Sequence, residues 1–416
     1  MQGGQGRFML QTSLSSHGHK VVLADWARTI QPSMLQRLLP IMTRPEVISF
    51  ALGFPAIELF PLEKYRQALQ SITLANSSTL QYGPASLQLK QHIRALMQQR
   101  GVTCREEQIF LTVGAQQGIS LLTRLFLNPG GSVLAEEITY TGLLQIVAPY
   151  QPHILAVPTD STSGIDLDAL EAMLSADARP AFLYIVVDGH NPLGVSLSLE
   201  KRQRLVNLLN TYQVPAIEDD PYGLLFYEGT ALPPLRALDD RFVYYIGSFS
   251  KILAPALRVG WIVVPESIMP QLSAAKEAMD LDCSTFAQHA IASFLADAPL
   301  TEHLIRLRQV YKERRDSMHQ ALQRAFTPEE ARWCVPGNGL FIWVEFPEGI
   351  NTSALLETAL MQEQVAYVPG QSFSPIPDHS IATRSVRLSF SCTPSECIEE
   401  GIARLAQAIR RQRRSA

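Results

Sequence analysis

The chain has 416 residues, long for a single hydrophobic core and enough for about two domains. With 46% hydrophobic and 18% charged residues, and a formal charge of -4 from 35 Lys and Arg against 39 Asp and Glu, it reads as an ordinary globular chain with no global nucleic-acid footprint. No apolar run reaches membrane-spanning length, and the five cysteines (Cys104, Cys283, Cys334, Cys392, Cys397) form no CxxC pair, which argues against a membrane anchor, a zinc site and a disulfide framework.

The Gly-, Gln- and Ser-rich start lacks a signal-peptide core and is expected to be a flexible tail, residues 1–24, on a cytoplasmic protein. His17-Gly18-His19 falls within it and is not read as a metal site. Residues 25–60, from Asp25-Trp26-Ala27-Arg28 through Val47-Ile48-Ser49-Phe50, are expected to pack against a C-terminal domain. Between about residues 108 and 265, short β-rich runs alternate with helical stretches. The runs are Ile109–Val113, Ser132–Ala135, Ile154–Val157, Phe182–Val187, Ala216–Glu218, Phe242–Ile246 and Val259–Val264. Strands apolar on both faces and separated by helices predict an α/β fold with a mostly parallel seven-stranded sheet, in a large domain over residues 61–290. In such sheets ligands gather at the carboxyl ends of the strands.

After about residue 270 the pattern changes. A helical region near 286–327 precedes the run Gly339–Phe346, a helix near 352–363, a short strand at Val386–Ser389 and a last helix from about Pro394. This predicts a smaller α+β domain, residues 291–416. Arg410-Arg411-Gln412-Arg413-Arg414 reads as a last helical turn that complements the dipole and frays into a tail.

Polar residues at several strand ends suit a single ligand. Gly114-Ala115-Gln116-Gln117-Gly118 follows a strand and opens a helix, so its amides face an anion. Such a turn is common in any α/β protein, and it lacks the GxGxxG and GxxxxGK[ST] spacings of dinucleotide and Walker sites. Tyr140 reads either as a core aromatic or as a ring stacked on a ligand. In His190-Asn191-Pro192-Leu193-Gly194, Asn191 either caps a turn or binds a ring hydroxyl, and His190 is either a loop residue or a ligand contact. Glu218-Asp219-Asp220-Pro221-Tyr222 puts acids at a buried strand end, where they are costly unless paired. A cap or a structural salt bridge would satisfy them, and so would a pyridinium nitrogen, which a carboxylate keeps protonated. Ser248-Phe249-Ser250-Lys251 ends an apolar strand, with Arg258 seven residues on. A lysine amine becomes nucleophilic when burial or a nearby cation lowers its pKa. A Schiff-base lysine beside a phosphate-binding cup needs that arrangement, which points to pyridoxal phosphate; the plain alternative is a solvated loop lysine.

Taken in order, these segments resemble a fold-type I pyridoxal-phosphate-dependent aminotransferase of class I/II, closest to the 2-aminoadipate and kynurenine aminotransferase group. The resemblance runs from about residue 25 to 410. It also takes in Gly53-Phe54-Pro55, Gln81-Tyr82-Gly83-Pro84, Tyr367-Val368-Pro369-Gly370 and Arg387-Leu388-Ser389-Phe390. It implies that Lys251 forms the Schiff base with the cofactor and then acts as general base. By the same resemblance Asp219 pairs with the pyridine nitrogen, and Asn191 and Tyr222 bind the phenolic oxygen. Ser248, Ser250, Arg258 and the amides of Ala115 and Gln116 would cradle the phosphate, with Tyr140 stacked on the ring. Tyr82 would reach the phosphate of a second subunit, implying a homodimer, and Arg387 would bind the α-carboxylate bidentately. The implied substrates are an amino acid and a 2-oxo acid.

Departures from the group bear on the substrate. Ala85-Ser86-Leu87-Gln88 has no glycine where the group has one, and Leu52 replaces the first glycine of the entry motif, whose second is Gly53. Gln36, beside Arg37, stands where some members have an arginine that binds an acidic side chain, and Leu193 replaces a threonine. Gln36, Leu52 and Phe54 together suggest a less acidic substrate side chain, bulky or apolar. Two other readings share the fold: a lyase, decarboxylase or cyclase with the same cofactor, and an effector sensor of the GntR type. The sensors carry a winged DNA-binding domain first, whereas here about 25 residues without a basic cluster precede the resemblance.

Overall fold

The computed structural model describes residues 22–29, 34–75, 77–176, 178–297 and 300–415. Residues up to Gln31 and residues from Pro32 onward are separate compact units. The described part of the first contains the short helix Asp25–Thr29, and all that follows concerns the second. The tail expected at residues 1–24, with His17 and His19, lies outside the described residues as far as residue 21.

All seven apolar runs form strands of one sheet. They are β1 (Ile109–Thr112), β2 (Ser132–Glu136), β3 (His153–Val157), β4 (Leu183–Ile185), β5 (Ala216–Asp219), β6 (Val243–Ser248) and β7 (Gly260–Val263). The order across the sheet is β1-β7-β6-β5-β4-β2-β3. Pairing is parallel from β6 through to β3, and β7 runs antiparallel to both β6 and β1. A parallel connection needs a crossover of a dozen or more residues, usually helical. The loop between β6 and β7 carries only a turn of 3-10 helix, Pro255–Leu257, so the chain turns straight back.

Alternate residues of β4 and its flanks enter different cores, as a pleated strand requires. Leu183, Ile185 and Val187 pack with Leu205 and Leu209 of the helix Leu199–Tyr212. Phe182, Tyr184 and Val186 pack with Ile119 and Leu122 of the helix Gly114–Phe126. Each fully buried aliphatic side chain contributes roughly 1.5–3 kcal/mol, which is why the continuous apolar runs, and not alternating ones, mark these strands.

A second, antiparallel sheet comprises β8 (Arg332–Trp333), β9 (Phe341–Glu345), β10 (Val368–Pro369) and β11 (Ser385–Ser389), in the order β8-β9-β11-β10. The helices Leu300–Ala325 and Ser395–Ser415 share its core through Leu304, Met318, Leu322, Ile402, Leu405 and Ile409. The helical region expected at 286–327 is two helices, Thr285–Asp297 and Leu300–Ala325. Ile48–Ser49 pairs in parallel with Val365–Ala366. The basic C-terminus does not fray at residue 410: the helix continues to Ser415. Arg410 donates to Ala325 O at 2.6 Å and Arg411 pairs with Glu363 at 2.9 Å, so these cations bind neighbouring elements. Among the described residues no helix is long and apolar enough to cross a membrane.

Candidate active site

The carboxyl ends of the parallel strands and the amino end of antiparallel β7 meet at one edge of the large sheet. There they border a cavity of about 790 Å³. Its lining includes Gln36, Gly53, Ala115, Gln116, Tyr140, Asn191, Asp219, Tyr222, Ser248, Ser250, Lys251, Arg258 and Arg387, so the candidate site residues converge there apart from Tyr82 and His190. Tyr82 lies on the surface, 78% exposed. His190 turns away from the cavity: it is buried, with Nε2 2.9 Å from Glu136 Oε2.

Of the three acids ending β5, two are consumed by the fold. Glu218 accepts the amides of Leu235 and Arg236 at 2.6 and 2.9 Å. Asp220 accepts from Arg100 at 3.2 Å, from Tyr245 Oη at 2.9 Å and from the Gly223 amide at 2.6 Å. Asp219 is different. Its Oδ2 accepts Tyr184 Oη at 2.7 Å, while its Oδ1 is buried with no hydrogen-bond partner. Burial pushes the Asp219 carboxyl up to about 7, opposed by the Tyr184 bond and by Lys251. A buried carboxylate with one open oxygen on a cavity wall calls for a cationic hydrogen-bond donor.

Lys251 follows β6 and reaches across to the second region, donating from Nζ to Gly53 O at 2.8 Å. Burial lowers its pKa to about 8, helped by the charges of Arg387 and Arg258 and opposed by Cys392 and Asp219. A far larger fraction of its amine is therefore neutral near physiological pH than in a solvated lysine, although the protonated form still predominates there.

The other end of the cavity is cationic and rich in donors. Arg258 sits in the left-handed region at φ 52°, with Nη2 on Val113 O at 3.0 Å and Nη1 on Pro255 O at 3.3 Å. Ser248 Oγ donates to Ser250 Oγ at 3.0 Å and accepts the Ser250 amide at 3.1 Å. The helix Gly114–Phe126 begins beside them, and Ala115 and Gln116 are its second and third residues. Gly114 has φ +74°, and a Cβ there would stand 2.6 Å from Arg258 Nη2. Gly114→Ala is therefore expected to cost about 1–3 kcal/mol from backbone strain alone and to displace the guanidinium. A urea-denaturation midpoint and a phosphate-binding titration on the same protein measure both effects. Tyr140 lies over this end with Oη donating to Gln116 Oε1 at 3.1 Å, and burial raises its phenol to about 12.

Arg387 lies on β11 opposite Trp343 and Val368. It is buried between the ring of Phe341, 4.3 Å from its Cζ, and the ring of Phe373, at 5.1 Å. Nη1 donates to Asn191 Oδ1 at 2.9 Å, Nη2 donates to Ala51 O, and Nε is buried without a partner. Burial brings its pKa down to about 10, so it stays charged at neutral pH. None of these partners is an anion. A guanidinium held this way and facing a cavity has the charge and donors that suit a carboxylate. Tyr222 stands edge-on to Phe341, with centroids 5.9 Å apart, and burial together with Asp219 and Tyr140 pushes its phenol well up.

Tyr184 and Phe341 are among the lining residues that the sequence does not single out. Tyr184 carried a usable signal, since a tyrosine inside a run of buried aliphatics must find a partner for its hydroxyl. Phe341 had none, because its role depends on Arg387 from another strand.

The donor set fits pyridoxal phosphate: an open buried carboxylate oxygen, a lysine of lowered pKa, and an anion cup of serines, helix amides and Arg258. Comparison with known proteins agrees. Residues 45–405 match the family model for aminotransferase class I and II. The chain is 34% identical over 401 residues to aromatic-amino-acid aminotransferase 1 of Thermococcus litoralis, covering 94% of each chain. The solved kynurenine aminotransferase of Pyrococcus horikoshii, in complex with PMP, superposes with a TM-score of 0.88 at 34% identity, over 94% of this chain and 97% of that one. The α-aminoadipate aminotransferase of Thermus thermophilus, complexed with N-(5'-phosphopyridoxyl)-L-leucine, gives 0.86 at 33% identity, over 95% and 98%.

Proposed function

We propose, on the premise that the chain belongs to the class I and II aminotransferase family, that it moves amino groups between amino acids with bulky or apolar side chains and 2-oxo acids. That family is pyridoxal-phosphate-dependent, and transamination is the activity of this chain. The observation that carries the side-chain preference is the cavity wall. Leu39, Leu52, Phe54 and Leu144 line it, and its described cations are Lys251, Arg258 and Arg387, all of which have other work. Gln36 also lines it, and the side chain of Arg37 lies outside the described residues. An acidic side chain would bring a charge into this wall without a dedicated partner, at a cost. The name of the Thermococcus litoralis relative, an aromatic-amino-acid aminotransferase, supports the same preference.

When bound, pyridoxal phosphate supplies an aldehyde that takes the amino group and a cationic ring that draws electrons from the substrate Cα. We assign Asp219 to hold the ring-nitrogen proton and Tyr140 to cover the ring face. Asn191 and Tyr222 are assigned to the phenolic oxygen. Ser248, Ser250, Arg258 and the amides of Ala115 and Gln116 are assigned to the phosphate. Arg387 orients the substrate through its carboxylate, which fixes which Cα bond faces Lys251. Lys251, whose amine loses its proton around pH 8, is assigned to move the Cα proton. Tyr82, being exposed, is assigned to the phosphate end of a second subunit's site, in a homodimer. Residues 61–290 and 291–416 are assigned to a large and a small domain, holding the seven-stranded and the four-stranded sheet respectively. A cytoplasmic location suits the five free thiols.

Purified enzyme offered leucine, phenylalanine, methionine and 2-aminoadipate in turn, with release of the matching 2-oxo acid as the readout, tests the reading. Much faster use of 2-aminoadipate than of the other three would refute the side-chain preference. A separate check concerns the lysine. Labelling of Lys251 by a small aldehyde and borohydride, followed by mass spectrometry, is expected to rise through a pH of about 8, where the amine loses its proton. A rise only above pH 10 would mean that the cavity does not perturb it.

A further inference from the structure

The strap Ser49–Phe54 brings Leu52, Gly53 and Phe54 to the cavity, and its carbonyls are gripped in succession by the segment that contains Arg387 and runs past the end of β11. Thr393 Oγ1 donates to Ser49 O at 3.2 Å, the Ser389 amide to Phe50 O at 2.7 Å, and Arg387 Nη2 to Ala51 O. Phe54 O takes two donors, Ser391 Oγ at 2.7 Å and Cys392 Sγ at 2.8 Å, and the same thiol lies 3.7 Å from Leu52 O. Ser391 is itself fixed: its carbonyl accepts Arg314, which pairs with Glu58, and its hydroxyl lies 2.9 Å from Ser389 Oγ. The exception in the series is Gly53 O, whose donor is Lys251. A lysine engaged in chemistry cannot also hold Gly53, so during turnover the far end of the strap depends on Ser391 and Cys392.

The strap has little slack in the other direction. A Cβ on Gly53 would stand 2.6 Å from Phe341 Cζ, so the strap backbone lies against the ring that Arg387 covers. Phe54 meanwhile is 52% exposed at the cavity, an aromatic left for a ligand to cover. Where the strap sits therefore sets the distance between the carboxylate anchor and the apolar wall.

We propose that Ser391 and Cys392 are positioning residues for side-chain selection: by holding the Phe54 carbonyl they fix the Leu52–Phe54 wall relative to Arg387 while Lys251 is occupied. This rests on the reading of Arg387 as the carboxylate anchor of a transaminase for bulky donors. The test uses holoenzyme with Ser391→Ala, Cys392→Ala and the double substitution, alongside Cys392→Ser, which keeps a donor. KM and kcat are measured for phenylalanine and alanine, and calorimetry compares binding of 3-phenylpropanoate and propanoate, which carry the carboxylate but no amine. In the double variant the phenylalanine-to-alanine ratio of kcat/KM is expected to fall about tenfold, mainly through KM, with a matching loss of preference between the two acids. Cys392→Ser is expected to keep the parental ratio. An unchanged ratio, or equal losses for both donors, overturns the clamp, and if the double variant does not fold, Cys392→Ala against Cys392→Ser decides in the same way. A parental enzyme that uses neither donor and binds neither acid refutes the functional reading itself.

Discussion

Lys251→Ala is expected to lower turnover about 10⁴-fold, because one nitrogen is lost from two tasks, attack on an aldehyde and transfer of the Cα proton. The site is built so that this nitrogen is reactive: burial and two nearby arginines bring it to a pKa of about 8. Lys251→Arg is expected to be no better than alanine, since a guanidinium keeps its charge at all working pH values and cannot serve as base or nucleophile. The alanine variant also leaves a space beside Gly53, and an added small amine is expected to restore part of the proton transfer. Stopped-flow measurement of a half-reaction with one amino acid, with and without that amine, separates the two tasks. Parental turnover by Lys251→Ala would remove the lysine from the mechanism altogether.

Much of this is legible in the amino-acid sequence itself, for identifiable reasons. The seven strands stood out because strands buried on both faces are continuous apolar runs, and their polar ends were short, separate segments. Convergence of those ends followed from the parallel topology alone, since it sends every carboxyl end to one edge. Arg258 belongs to the same edge for the opposite reason: β7 is antiparallel, so the residue before it arrives where the others leave. Contacts between distant segments were not legible. Glu218, Asp219 and Asp220 look equivalent by residue type, and apart from the family resemblance it is the placement of Arg100, Tyr245 and the Leu235–Arg236 amides that removes two of them from contention. Asn191 was expected to face a ring hydroxyl, and its carbonyl oxygen is in fact taken by Arg387, 196 residues away, leaving its amide nitrogen for that task. Ser391 and Cys392 carried no motif, because a clamp on a carbonyl requires only a donor at the right place.

Asp219→Asn tests the remaining half of the electrostatics. The substitution keeps size and keeps an oxygen for Tyr184, but replaces a carboxylate by a neutral amide at the open position. In this cavity the free carboxyl has a pKa of about 7, so it stands half-protonated near neutrality until a cation arrives. Asp219 Oδ1 would meet a protonated ring nitrogen of the bound cofactor, and that opposite charge would favour the ionised carboxylate. The substitution removes that pairing. Loss of one member of a buried charge pair costs about 2–5 kcal/mol, which corresponds to a fall in turnover of roughly 30- to 5,000-fold, with weaker cofactor retention. Tyr184→Phe provides the graded control. It deletes a hydrogen bond that lowers the Asp219 pKa, so the carboxyl would move further up and the acid limb of the activity profile would shift to higher pH. The sign follows from the required form: the group acts as carboxylate, so activity is lost as pH falls through its pKa, and a higher pKa means loss begins sooner. Asp219→Asn is expected to abolish that limb, because it leaves nothing there to titrate. Full activity with an unaltered acid limb in Asp219→Asn would mean that the open oxygen of Asp219 faces no cation.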